Sequence, residues 1–183
     1  MADNELMARY RDRDLSAFNA LYQRHRSRLY RFLLGQLGNP QVSEDCFQEV
    51  WGRIIRARSR YESRAQFSTY LFTVAHNIVI DHYRWRHRQP IQEPGDWEQM
   101  SAEQKGPDAH FESQQKGAAL KAALAELPAD QREVFLLHEQ AGLTLNEIAG
   151  VMGTGRETIK SRLRYAVRKL RRALDQEGES SDD

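Results

Sequence analysis

Cysteine is nearly missing: Cys46 is the one thiol in 183 residues. That excludes an intrachain disulfide and is compatible with a reducing compartment. Cys46 sits among helix-forming residues and reads as a packing residue. Long apolar runs are missing too. Nothing approaches the roughly 20 apolar residues of a membrane helix, and Met1–Asp14 lacks the apolar run of a secretory leader. A cytoplasmic chain without membrane insertion is therefore expected. No glycine-rich phosphate cradle, nucleophile elbow or zinc-helix motif occurs, so neither an enzyme nor a cofactor is expected. His76, Asp81, His82 and His87 lie close in sequence. His82 and His87 are five apart, however, a poor spacing for one helical face, and no metal site is expected. Strand-type alternation is almost absent.

Charge of one sign is not in excess either: 27 Lys and Arg oppose 26 Asp and Glu, a net charge of +1. The average hides an asymmetry. Acids gather in the tail (Asp175, Glu177, Glu179, Asp182, Asp183) and in the middle (Glu93, Asp96, Glu98, Glu103, Asp108, Glu112). The segments on either side are correspondingly basic.

What the chain does have is helical periodicity. Ser16 can cap a helix whose apolar face runs through Phe18, Leu21, Tyr22, His25, Leu29, Phe32, Leu33 and Leu37, and Gly38-Asn39-Pro40 ends it. Ser43 opens a second, with Phe47, Val50, Trp51, Ile54 and Ile55 as its apolar set. After a loop around residues 59–66, a third carries Phe67, Tyr70, Leu71, Val74 and Ile78 and ends in the basic run Tyr83–Arg88. Three of the five prolines (Pro90, Pro94, Pro107) then fall between Gln89 and His110, with Gly95, Gly106 and several acids. Such a stretch buries little and reads as a linker. Beyond it come a helix with Leu120, Ala123, Leu124 and Leu127, a start at Pro128, and Val134, Phe135 and Leu137. The expected architecture is all-α, with two small helical domains joined by a flexible linker: residues 1–88, a linker 89–111, residues 112–176, and an acidic tail 177–183.

Leu143–Leu174 carries the sharpest functional signal. Thr144 and Glu147 have the spacing of a capping box, and Leu145, Ile148, Ala149 and Met152 follow on one face. Gly153 and Gly155 allow a sharp turn, and Thr154 with Glu157 suggests a second capping box. Ile159, Leu163, Ala166, Val167, Leu170 and Leu174 then form a buried stripe. Arg156, Thr158, Lys160, Ser161, Arg162 and Arg164 fall mostly outside it, and Glu157 is the only acid from Arg156 to Arg172. This is a helix-turn-helix whose second helix can meet phosphates and base edges in a major groove.

Two features of the first half also ask for a partner. Glu44, Asp45, Gln48, Glu49 and Arg53 make one polar helix face, suited to another protein. Phe67, Tyr70, Phe72, His76, Asn77, Tyr83, Arg84, Trp85, Arg86 and Arg88 interleave rings with cations, a combination that suits single-stranded DNA. The Tyr61–Gln66 loop beside them could hold an extruded base.

Taken together these segments resemble sigma-70-family factors of the extracytoplasmic-function group, which keep only sigma domains 2 and 4. The resemblance rests on Glu44–Trp51, on Phe67–Asn77 with Asp81 and Arg84, on Leu127-Pro128 with Gln131–Phe135, on Glu147-Ile148-Ala149, and on Thr158–Leu163. It implies core-polymerase binding by Glu44, Asp45, Gln48, Glu49 and Arg53. It implies −10 recognition by Tyr61, Arg64, Phe67, Tyr70, His76, Asn77 and Arg84. It implies −35 recognition by Arg156, Thr158, Lys160, Ser161, Arg162 and Arg164. The implied partners are bacterial RNA polymerase core enzyme, promoter DNA (duplex at −35, melted at −10) and an anti-sigma factor or other regulatory protein. Tyr70 stands where the family commonly has Trp, and His76 where Arg is frequent. The alternative is a helix-turn-helix regulator that binds duplex DNA without polymerase; the strandless first half argues against one built on a receiver domain.

Overall fold

The computed structural model describes residues 1–62, 64–88 and 111–180, without the side chains of 111–116 and 176–180. The expected linker lies outside the described residues except for Phe111, as do the last three residues of the tail. Eight α-helices and no strand make up what is described: α1 (Asp3–Arg11), α2 (Leu15–Leu37), α3 (Pro40–Ala57), α4 (Phe67–Arg88), α5 (Phe111–Glu126), α6 (Ala129–Glu139), α7 (Leu145–Met152) and α8 (Arg156–Ser180). No described helix is long and apolar enough to cross a membrane.

Caps set most of the boundaries. Asp14, not Ser16, caps α2. Its carboxylate accepts from the Ser16 and Ala17 amides at 2.9 and 3.3 Å, and from the Ser16 hydroxyl at 2.6 Å. Gly38 closes α2 at φ 70°, in the left-handed region that glycine enters without steric cost. Asn39 caps α3 by accepting from the Val42 amide at 3.0 Å, and Pro40 occupies the first turn, where its missing N–H costs nothing. The helix thus begins three residues before Ser43.

α1 was not expected from the sequence. It is nine residues long and mostly polar, but Leu6, Met7 and Tyr10 are buried against the rest of the first half. Packing stabilises it rather than propensity.

The first half is built from α1 to α4. α2 packs on α1, α3 and α4, and α3 packs on α4. Trp51 receives Phe18, Tyr22 and Phe47 around it, and Phe32 meets Phe72 edge-on at 5.5 Å. In the second half α8 lies against α5, α6 and α7. The two halves are docked. α2 packs on α6 and α4 on α7, and one apolar core runs without a break from Leu6 to Ile159.

Candidate polymerase and promoter interfaces

On α3, burying Cys46, Phe47, Val50, Trp51 and Ile54 leaves the opposite face to solvent. Glu44, Asp45 and Gln48 are exposed, while Glu49 and Arg53 are partly covered. Glu49 Oε1 accepts from Arg53 Nε at 2.9 Å and from Arg56 Nη2 at 3.0 Å. The Arg53 hydrogen bond is the main cause that holds its carboxyl below the ordinary glutamate range. Arg53 also reaches Asp81 at 3.6 Å, tying this face to α4. Beside Glu44 an open groove of about 480 Å³ is lined by Tyr22, Tyr30, Phe47, Arg26 and Arg31. Ile55, expected in the apolar set, is 47% exposed instead.

The residues expected to meet the −10 strand divide in two. Tyr61 and Phe67 are buried, Phe67 completely. Their rings brace the loop from inside, with Tyr70 edge-on to Tyr61 at 5.2 Å. Tyr70 is half-buried, and burial raises its phenol pKa. Arg64, Asn77 and Arg84 are exposed. His76 is neither a core residue nor free. Its Nδ1–H donates to Glu133 Oε1 at 2.6 Å, and Glu133 is 3% exposed.

Asn4 belongs to this loop, although nothing in its local sequence marks it. Its Oδ1 accepts from the Phe67 amide at 2.8 Å, and its Nδ2 donates to the Ala65 carbonyl at 3.2 Å. One α1 side chain therefore starts α4 and pins the end of the loop.

The helix-turn-helix has the expected core geometry. The Thr144 amide donates to Glu147 Oε2 at 2.8 Å, and the Glu147 amide to Thr144 Oγ1 at 3.3 Å. The backbone bond from Thr144 leads in holding the Glu147 carboxyl below its ordinary range. Gly153 turns the chain at φ 63°. The expected second capping box between Thr154 and Glu157 does not form. α8 starts at Arg156, its first backbone bond running from the Ile159 amide to the Gly155 carbonyl. Glu157 pairs instead with its helix neighbours Arg156 (3.1 Å) and Lys160 (4.0 Å). Arg156, Thr158, Lys160 and Arg164 are exposed at the outer end of α8, while Ser161 and Arg162 are half-buried. The Arg162 guanidinium forms an ion pair with Asp130 on α6, Nε to Oδ2 at 3.0 Å, which draws it toward α6.

An acid-and-glutamine helix face, a loop backed by the rings of Tyr61, Phe67 and Tyr70, and a helix with an exposed cationic start thus share one chain. Family comparisons cover the same segments: Sigma-70 region 2 matches residues 21–89, and Sigma-70, region 4 matches residues 123–172. The ECF RNA polymerase sigma factor RpoE of Cereibacter sphaeroides is 34% identical over 177 residues, covering 92% of this chain and 93% of that protein. The chain belongs to the ECF RNA polymerase sigma factors. SigE of Mycolicibacterium smegmatis, another such factor, is 29% identical over 158 residues, and this chain spans 61% of its length. Among solved structures, the sigma factor RpoE in complex with the anti-sigma factor NepR from Bartonella quintana has the same fold. The TM-score is 0.68 over 86% of this chain and 96% of that one, at 23% identity. As an ECF sigma factor the chain acts in transcription initiation, with core polymerase and promoter DNA as its partners.

Proposed function

We propose that this sigma factor holds a promoter at two points while seated on core polymerase. Glu44, Asp45, Gln48, Glu49 and Arg53 form the seat. Arg64, Asn77, Arg84 and, once accessible, His76 line the path of the melted −10 strand, with Tyr61, Phe67 and Tyr70 shaping the loop behind it. An extruded base costs a few kcal/mol of lost stacking, which contacts in such a loop can offset. The start of α8 enters the −35 major groove, where Arg156, Thr158, Lys160, Ser161, Arg162 and Arg164 divide base reading and phosphate contact among them. Catalysis belongs to polymerase, and this chain supplies no nucleophile. Its place of work is the cytoplasm, where polymerase and template meet. A regulatory partner of the anti-sigma class is a further expectation, supported by the fold shared with a sigma factor solved in such a complex.

The observation that carries this reading is the exposure of Arg156, Thr158, Lys160 and Arg164 on the second helix of a helix-turn-helix, on the same chain as the α3 acidic face. The test is transcription in vitro from genomic DNA of the source cell, with core enzyme alone and with core plus this chain. New start sites sharing −10 and −35 sequences are expected. Duplex binding without new starts would leave only the polymerase-independent regulator. Reversing the charge at the seat, Glu49→Arg, should weaken co-purification with core at least tenfold while leaving −35 duplex binding intact. Equal co-purification would remove Glu49 from the seat.

A further inference from the structure

α1 touches the loop before α4 at both of its ends. At the far end Asn4 Oδ1 accepts from the Phe67 amide at 2.8 Å, and Asn4 Nδ2 donates to the Ala65 carbonyl at 3.2 Å. At the near end α3 gives way to a 3-10 turn (Arg58–Arg60). There the Arg58 guanidinium lies over the Tyr10 ring of α1, 5.5 Å from its centroid. Between these ends Glu62, Arg64, Ala65 and Gln66 are exposed. A segment with so little of its own buried takes its shape from whatever grips its ends.

α1 is fixed in turn on α2, and one residue makes the polar part of that attachment. Asp3 Oδ1 accepts from Arg24 Nη1 at 2.8 Å, and Asp3 Oδ2 accepts from His25 Nε2 at 2.7 Å. Arg24 also donates to the Met1 carbonyl at 2.9 Å. The His25 side chain is 6% exposed, and its ring stands edge-on to Phe67 at 5.3 Å. Burial by itself raises the Asp3 carboxyl pKa, but the hydrogen bonds from Arg24 and His25 outweigh it and hold the group below the ordinary aspartate range. Leu6, Met7 and Tyr10 attach α1 by apolar burial, which is non-directional. The charge-assisted bonds of Asp3 supply the direction. Asp3 and Asn4 are joined by one planar peptide unit, so a displacement of the first is passed to the second.

We infer that α1 is the frame of the loop proposed to hold the −10 base, and that Asp3, clamped by Arg24 and His25, is the residue that positions this frame. The inference rests on the assignment of that loop to the −10 strand. Asp3, Asn4 and His25 act through the loop and not on DNA. His25 backs the Phe67 ring, Asn4 fixes the backbone on either side of Gln66, and Asp3 locks these two supports together. Supporting groups of this kind decide whether a binding loop is held within a fraction of an ångström of its working geometry.

The test uses Asp3→Leu, which removes both acceptors at similar size, and Asp3→Asn, which keeps the shape and one acceptor oxygen. His25→Phe, which keeps a ring against Phe67 and loses the nitrogen, is a further disrupting variant. Polymerase holoenzyme assembled with each full chain is titrated with a forked −10 template from a promoter found by genomic transcription. The template carries 2-aminopurine at each −10 position in turn, a base whose fluorescence rises when it leaves the stack. Each chain is also titrated with the matching −35 duplex, and circular dichroism checks its helix content. The parent should show a rise at one position. Asp3→Leu and His25→Phe should weaken fork affinity about fivefold to twentyfold and lower that rise, with −35 affinity unchanged, and Asp3→Asn should recover most of the loss. Equal fork affinity and equal rise in parent and Asp3→Leu would overturn the positioning. So would equal losses on fork and −35 duplex, which mark a general fold defect. A parent that shows no rise at any position would remove the loop from −10 recognition and the frame with it, so the parent alone tells the two failures apart.

Discussion

Asn4 clasps the loop before α4 from 63 residues away, at the other end of the first half. Its amide serves both sides of the Ala65–Phe67 backbone, as a helix cap and a loop clasp in one side chain. An asparagine in a short polar helix carries no signature of that role, because the groups it satisfies are distant in sequence. His76 and Phe67 make the same point differently. The spacing placed both on one helix, where α4 has them, but it could not say that Phe67 would be wholly buried or that His76 would face a glutamate. Asn4→Ala should cost about 1–2 kcal/mol, the loss of a part-buried cap and one further hydrogen bond, measured by urea unfolding. It should weaken binding of a forked −10 template more than of a −35 duplex. An equal loss on both would make Asn4 a general stability residue and not a positioning one.

At the scale of elements, the helix-turn-helix was the most legible part of the chain. Its apolar stripe, its first capping box and its left-handed Gly153 all depend on neighbours within four residues, which a sequence displays directly. The second capping box failed for an equally local reason. Gly155 takes the position before the helix, leaving Thr154 one residue too early to cap it, and Glu157 pairs with Arg156 and Lys160. Of the residues proposed for −35, Arg162 is the one paired with a side chain of another helix, Asp130 at 3.0 Å. A pre-oriented guanidinium suits bidentate reading of a guanine edge. Arg162→Ala should cost about 1–3 kcal/mol on the cognate −35 duplex and relax the preference at one base pair. A uniform loss on all sequences, with a lower salt slope, would mark Arg162 as a phosphate contact.

At the scale of the whole molecule, the two expected helical domains are present, and the linker lies outside the described residues except for Phe111. What the sequence did not show is that the halves are docked: one apolar cluster and a row of polar contacts along α4 join them, beside a smaller cluster of Ala123, Leu127, Ala166 and Leu170 within the second half. Such a chain should unfold as a unit. Urea transitions followed by tryptophan fluorescence, which Trp51 reports from the first half, and by far-ultraviolet circular dichroism, which reports both, should coincide. Two separated transitions would mean that the halves are stable apart and that the seam contributes little.

The sequence by itself determined the helices after α1, most of their apolar faces, the helix-turn-helix with its cationic second helix and the acidic face of α3, because each follows from side chains repeating every three or four residues and from caps adjacent in the chain. It also carried the family, through the order of those segments. Only the tertiary structure decided what covers each face. Periodicity shows that a stripe of α4 is to be covered but cannot name the cover. Here that cover is α6 and α7, beyond the linker, and the choice depends on the close fit of Gly35 in α2 against Leu136 in α6 and on Glu133, the acid that meets His76.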